Sequence, residues 1–480
     1  MSRTVAWSVL LSFAAAITLY RIWLVGHLGI DLYVDEAYYW SWSKALDWGY
    51  YSKPPAVAAV IAASTALFGD TVLAVKAPAF LLYPATALVL AGIAQSLFGS
   101  RAALAAGMAF LTLPIVGALA LFVSTDALLM FFWAAAMASF LHALAHGRWS
   151  SWLATGALVG LGLLSKYTMA IFLPSALLGM IWVPAYRRQL ATCKPWLAAL
   201  VAIALLVPNL HWNARHGFPT FAHTADITHL SHPGSTGGAP LNYVLEQWLA
   251  FGPLLAPLLI WVLLRNRLSW ADPRIRILIS LSWPLLGLVA VQALRAEANG
   301  NWAAPALLAL VVLAAGRTPG RWLIPAIAIN LMISAALHHW PDLAPALGRP
   351  LNAHNDPYKR ARGWQDFGEA VAHYVRAHPQ ATVLAADREL LAETLFYARP
   401  QAIAAWRPQA HAADHYQLVA ALDAPRAGDF LLLARGPDND AITRHFRSSQ
   451  PLGQVRIRVH ADLERTAYIF LLRDFKGYSP

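Results

Sequence analysis

Two adjacent carboxylates, Asp35 and Glu36, stand in a stretch crowded with Tyr and Trp, 30–55, that also holds Asp31, Lys44, Asp47 and Lys53. Carboxylates desolvated by aromatic neighbours become more basic, and such a group can take a proton from a hydroxyl. An acidic pair is also the ordinary make-up of a solvated loop, and charge alone does not separate the two readings. Another lone acid, Asp126, falls where a second short loop meets an apolar run, so that two carboxylates could converge on one cavity. Lys53 directly precedes Pro54 and Pro55. Residues before proline are pushed to extended geometry, so its amine projects from a fixed kink. It either meets a phosphate as a point charge or snorkels to lipid headgroups. Lys166, between two apolar runs, has the same pair of readings. Arg295, Glu297, Asn299, Asn301 and Trp302 form a further polar turn, suited to a substrate-contact wall. Asp387 and Arg388, at the end of an expected strand, read as a solvated turn sooner than as the lining of a cleft.

Several chemistries find no support. The histidines of the segment 211–240 (His211, His216, His223, His229, His232) show no HExxH or other tight ligand spacing, and the single cysteine, Cys193, excludes a cysteine-based metal site. There is no P-loop, no GxGxxG and no GxSxG. The net charge of +11 does not speak for nucleic acid, because most of the excess lies in short loops between apolar runs.

The elements that must position these groups are membrane spans. Hydrophobic residues make up 58% of the 480 and charged residues 13%, with a mean hydropathy of +0.48. Repeated apolar runs of spanning length define a polytopic α-helical membrane protein. About eleven runs recur, near 5–25, 71–97, 101–122, 126–146, 150–164, 167–185, 196–210, 241–264, 275–294, 302–316 and 321–338. With the N-terminus inside, one set of loops carries Arg101, Arg148, Arg187, Arg188, Lys194, Arg265, Arg267, Arg274, Arg276, Arg317 and Arg321, with Asp272 as its lone acid. The opposite loops carry Asp31, Asp35, Glu36, Asp47, Asp70, Asp126, Asp226, Glu246 and Glu297. That is the positive-inside pattern. It puts the acidic loops, 26–70 and 211–240 among them, and the C-terminus outside. Residues 1–25 read as a retained anchor, with no small-residue cleavage site. From about Trp340 polar residues increase and apolar runs shrink to strand length, at 382–386, 402–406, 430–434, 454–459 and 467–472. Helical patterns at 363–377, 388–397 and 437–447 alternate with them. The expected division is therefore a membrane domain over 1–339 and a small extracytoplasmic α/β domain over 340–480, joined by a linker at 354–362.

Taken together, these residues resemble a known family. Asp-Glu-Ala-Tyr-Tyr-Trp at 35–40, Tyr-Tyr-Ser-Lys-Pro-Pro at 50–55, Ser-Thr-Asp-Ala at 124–127 and Ser-Lys-Tyr-Thr at 165–168 resemble the GT-C glycosyltransferases that use polyprenyl-phosphate sugars. These include the dolichyl-phosphate-mannose protein mannosyltransferases and the aminoarabinose transferase acting on lipid A. Pro-Asn-Leu-His-Trp-Asn-Ala-Arg-His-Gly-Phe-Pro-Thr at 208–220 is similar to the bacterial branch called family 39 or 83, which includes lipid A galacturonosyltransferases. The resemblance implies an inverting transferase of the bacterial inner membrane with its site facing the periplasm. Its donor would be a polyprenyl-phosphate sugar and its acceptor lipid A or another envelope glycan, with no cofactor required. It implies Asp35 as the catalytic acid with Glu36 beside it, Asp126 as the second acid, and Lys53, with Lys166, at the donor phosphate. Tyr38, Tyr39 and Tyr51 would stack on sugars or wall off water, and His211, Arg215, His216, Glu297 and Asn299 would contact substrate. Ser52 stands where the aminoarabinose transferase has a metal-binding Glu, which disfavours a divalent metal. Ala37-Tyr38 replaces its Thr-Arg, which points to a different sugar or acceptor. The competing readings are a flippase for a lipid-linked glycan, against which ionisable groups cluster at outer loops and no internal repeat is visible, and a non-catalytic envelope scaffold.

Overall fold

A computed structural model describes residues 1–228, 239–265, 270–296 and 298–478. Among these, seven helices are long and apolar enough to cross a membrane, and nine if each of two sharply bent pairs is one span. The difference from eleven has a simple cause. The run at 101–122 is cut at Leu113–Pro114 into Ser100–Thr112 and Pro114–Leu119, because proline interrupts the helical hydrogen-bond ladder. The run at 150–164 folds as Trp149–Leu163, 15 residues. Both are shorter than the roughly 20 residues that a perpendicular crossing needs.

Close packing holds the bundle together. Trp149–Leu163 lies so near Lys194–Arg215 that a Cβ added at Gly156 would come within 2.2 Å of the Ala198 carbonyl oxygen. The basic loops gather at one end, where Lys194 donates to the Gly147 carbonyl (2.7 Å), Arg274 to the Leu97 carbonyl (3.0 Å), and Arg317 pairs with Asp272 (3.1 Å). Arg267 lies outside the described residues. The other end carries the acidic loop. There, after the first helix Arg3–His27, the chain makes a short helix, Val34–Ser43, that lies under the C-terminal domain.

That domain is a five-stranded sheet in the order β2-β1-β3-β5-β4, with β1 Thr382–Ala385, β2 Ile403–Ala405, β3 Arg426–Ala434, β4 Phe446–His460 and β5 Leu463–Phe475. β1 runs parallel to β2 and β3, and β5 is antiparallel to β3 and β4. Helices Trp364–Ala377 and Arg388–Tyr397 fall where the sequence places them. The segment 437–447 does not form the helix expected of it. Only Asp440–Thr443 is helical, and β4 begins at Phe446 and runs on as a mostly exposed edge strand whose polar residues hid it.

The linker is no loose tether. Asp31 N–H donates to the Ala361 carbonyl (2.9 Å), Arg362 to the Leu28 carbonyl (2.6 Å), and Tyr358 is buried against Phe122. These contacts fix the sheet domain over the acidic end of the bundle.

Candidate functional site

Asp35, Asp126, Lys53 and Lys166 all line one cavity of about 680 Å³, together with Tyr39, Asn299, Asn301, Trp302 and His223. Five separate chain segments supply its charges, the fifth being the linker with Arg360. Asp35 comes from the first turn of Val34–Ser43. Asp126 sits in the first turn of Thr125–His146, whose N-cap Ser124 accepts from the Asp126 N–H at 3.2 Å. A carboxylate there also meets the positive end of the helix dipole.

Each acid has a different partner. Asp126 is buried and held from two sides, by Lys166 at 2.7 Å and by the Asn301 amide at 2.8 Å. Asp35, 36% exposed, pairs instead with Arg388, Nη1 to Oδ1 3.1 Å, from the sheet domain. Arg388 opens the helix Arg388–Tyr397. Its neighbour Asp387 caps that helix and is clamped by Arg435 through two 3.0 Å hydrogen bonds, while the Arg388 guanidinium lies over the Tyr38 ring at 4.8 Å. The sequence favoured a solvated turn for Asp387 and Arg388. The structure corrects this for Arg388, because the domain docks its first helical turn onto the acidic loop.

Lys53 has no ion-pair partner among the described residues, although it is half-buried. Burial first, and then the neighbouring Lys166, hold its ammonium below the ordinary lysine range. An anion brought to this point would meet two cations, only one of them already neutralised. Lys53, Lys166 and Trp302 also line a second, mainly apolar cavity of about 420 Å³. It runs along Leu285, Leu288, Val289 and Val291 of a span, and Arg295 also lines it. The polar cavity and the apolar groove therefore meet at Lys53 and Lys166.

Several expected site residues lie elsewhere. Glu36 does not face the cavity. Successive helical positions point about 100° apart, and Glu36 is turned inward and fully buried. It accepts from Lys76 at 2.5 Å, the Val123 N–H at 2.7 Å and the Tyr33 N–H at 2.9 Å. Desolvation pushes its carboxyl above the usual range despite Lys76. It is a bolt between the acidic loop and the span Val72–Phe98. Tyr38 is likewise buried, accepting from the His415 N–H and packing on Trp42 and Tyr416. Tyr51 packs in a tilted arrangement on His223, ring centres 5.6 Å apart, and does not itself line the cavity. His211, Arg215 and His216 line a different cavity of about 350 Å³ with Asp47 and Trp48. The turn of Lys194–Arg215 that bears them is tied to the far side of the acidic loop by Trp212, which donates to Asp47 at 2.6 Å. Glu297, His229 and His232 lie outside the described residues.

Sequence reasoning passed over His223, Arg360 and Arg388. His223 was one histidine among five, and only the short helix Pro219–Ile227 aims it into the cavity. Burial, with Lys53 and Arg388 nearby, lowers it to about 4. Arg360 reaches the cavity from the linker and donates to the Tyr33 hydroxyl at 3.2 Å.

A helical bundle whose acidic end is roofed by a small sheet domain, with a polar cavity opening into an apolar groove, has the GT-C polytopic membrane fold, as its likeness to solved structures shows. Within that class, residues 52–212 match the family described as dolichyl-phosphate-mannose-protein mannosyltransferase. Over 298 residues the chain is 35% identical to lipid A galacturonosyltransferase RgtD of Rhizobium johnstonii, covering 62% of this chain and 63% of that protein. It thus spans a little under two thirds of that relative's length. Among solved structures it is similar to ArnT from Cupriavidus metallidurans bound to undecaprenyl phosphate, with a TM-score of 0.63, 18% identity and 97% and 98% of the two chains covered. The oligosaccharyltransferase of Archaeoglobus fulgidus is more distant, with a TM-score of 0.51, 13% identity and 82% and 64% covered. At these identities the likeness is one of fold. The fold read from the motifs is the fold found.

Proposed function

We propose that this protein is an inverting glycosyltransferase that moves a sugar from a polyprenyl-phosphate donor to lipid A or a related envelope glycan. The observation that carries the reading is the junction at Lys53 and Lys166, where an acid-lined cavity meets an apolar groove. An amphiphile with a phosphate at the join of head and chain fits that junction: the prenyl chain lies along Leu288 and Val291, the phosphate meets Lys53, and the sugar enters the polar cavity. The relative that acts on lipid A and the neighbour bound to undecaprenyl phosphate support the same substrates.

In the proposed step an acceptor oxygen attacks the anomeric carbon from the face opposite the phosphate. The bond from that carbon to the phosphate oxygen breaks, and the electron pair leaves with polyprenyl phosphate. Asp35 takes the proton of the acceptor hydroxyl, and Lys53 and Lys166 offset the charge growing on the leaving phosphate. Arg388 holds the Asp35 carboxylate in place. The donor is already activated, so the reaction needs no cofactor. The gathering of basic loops at the opposite end supports an orientation with the site facing the periplasm of a bacterial inner membrane.

Purified protein in lipid vesicles, given a polyprenyl-phosphate sugar and lipid A, tests the reading. A sugar–lipid A product with inverted anomeric configuration supports it. Movement of intact donor across the vesicle without any covalent product would replace it with transport.

A further inference from the structure

We propose that His27, His339 and Asp342 form a divalent-cation site of the zinc class, separate from the sugar-transfer cavity. His27 ends the first spanning helix, Arg3–His27. His339 follows the last, Gly320–His338, and Asp342 lies in the first turn of the next helix, Trp340–Ala346. One candidate ligand atom from each lies within 4.8 Å of the other two. Asp342 Oδ2 is 3.2 Å from His27 Nε2 and 3.4 Å from His339 Nδ1. Ligands bound to zinc at about 2.0–2.1 Å in tetrahedral geometry stand about 3.3 Å apart, so the two edges to Asp342 already have that length, while the third, between the imidazoles, lies within 4.8 Å. Two imidazoles and a carboxylate suit that ion better than the all-oxygen sets of calcium or magnesium.

The surroundings prepare both rings. His339 Nε2 lies 2.9 Å from the Tyr20 hydroxyl. A proton on Nε2 donated to that oxygen leaves the lone pair on Nδ1, the atom facing Asp342. Outer hydrogen bonds of this kind select the tautomer of metal-bound histidines. The His27 ring is stacked on Trp23 at 4.4 Å, which fixes its plane. His27 and Asp342 are exposed and His339 is partly so, leaving room for water at the remaining position. None of the three lines either substrate cavity. A bound ion would staple the first spanning helix to the last at the root of the linker that carries Arg360 to the cavity. Sequence spacing could not show this site, because its ligands come from opposite ends of the membrane domain.

The test uses the full chain in detergent, stripped with a chelator and then titrated with Zn²⁺, beside His27→Gln and Asp342→Asn. Both substitutions are close in shape and lie at exposed positions, so the fold tolerates them. The wild type is expected to take up about one more tightly held ion per chain than either variant. Its thermal midpoint should rise on zinc addition while theirs does not. Co²⁺ should give visible absorption bands with the wild type alone. Equal zinc uptake and equal midpoint shifts in all three proteins would overturn the proposal and leave the cluster a plain set of hydrogen bonds.

Discussion

Arg388 of the sheet domain stands 3.1 Å from Asp35 of the acidic loop, so the carboxylate proposed as base is held by a residue from the other domain. The sheet domain is therefore part of the site's construction. Arg388→Ala should lower kcat by about 10- to 100-fold, the scale of effect expected when a reacting group is misplaced by about an ångström. KM for the donor should change little, and Arg388→Lys should restore part of the rate. Steady-state kinetics on the three proteins check this. A loss confined to donor KM would instead assign Arg388 to the phosphate.

Lys53 lacks a carboxylate partner among the described residues and sits where groove and cavity meet. A hydrogen bond to a charged group contributes about 1.5–3 kcal/mol, so Lys53→Ala should raise donor KM about 10- to 100-fold and leave acceptor KM within a few-fold. Because burial and Lys166 depress its ammonium, the charge is present at low pH and lost as pH rises through a value below the ordinary lysine one of about 10.4. Donor KM in the wild type should climb correspondingly early on the alkaline side, and the climb should vanish in the variant. An acceptor KM that moves instead would reassign this lysine.

Glu36 should report on stability and not on chemistry. Its pair with Lys76 is wholly buried, and removing one partner of such a pair costs about 3–5 kcal/mol. Glu36→Ala should unfold at a markedly lower temperature in detergent, and Glu36→Ala with Lys76→Met should recover part of the loss by discharging the orphaned ammonium. A thermally normal but inactive Glu36→Ala would return Glu36 to the catalytic machinery.

His223 is held neutral above about pH 4. The folded value lies below the ordinary one of about 6.5, so His223 gains no charge as pH falls through the mildly acidic range. His223→Gln should leave the shape of the pH–rate curve unchanged between about pH 5.5 and 8. A limb that disappears with the substitution would show that this ring titrates there.

How much of this could be read from the chain depends on distance along it. The acidic loop was legible because Asp35, the aromatic residues and Lys53-Pro54-Pro55 lie close together, and their spacing fixes a loop at a membrane boundary. Asp126 and Lys166 were legible as lone charges at the ends of apolar runs. What composition does not encode is which way a helix turns. Glu36 and Asp35 are adjacent, yet one faces Lys76 inside the protein and the other faces the cavity. Nor does it encode docking between distant segments. Arg388 and Arg360 reach the site only because the linker folds back on Asp31 and Leu28. His211, Arg215 and His216 failed as cavity residues for the same reason, since the Trp212–Asp47 hydrogen bond turns them to the other side of the loop.

The most direct measurement is the single-turnover rate of sugar transfer by Asp35→Asn, with donor binding determined on the same preparation. A general base of this kind contributes about 10²- to 10⁴-fold. The account predicts a rate reduced by that factor while donor affinity stays near that of the wild type. Transfer within a few-fold of the wild type would show that the carboxylate held by Arg388 is not the base.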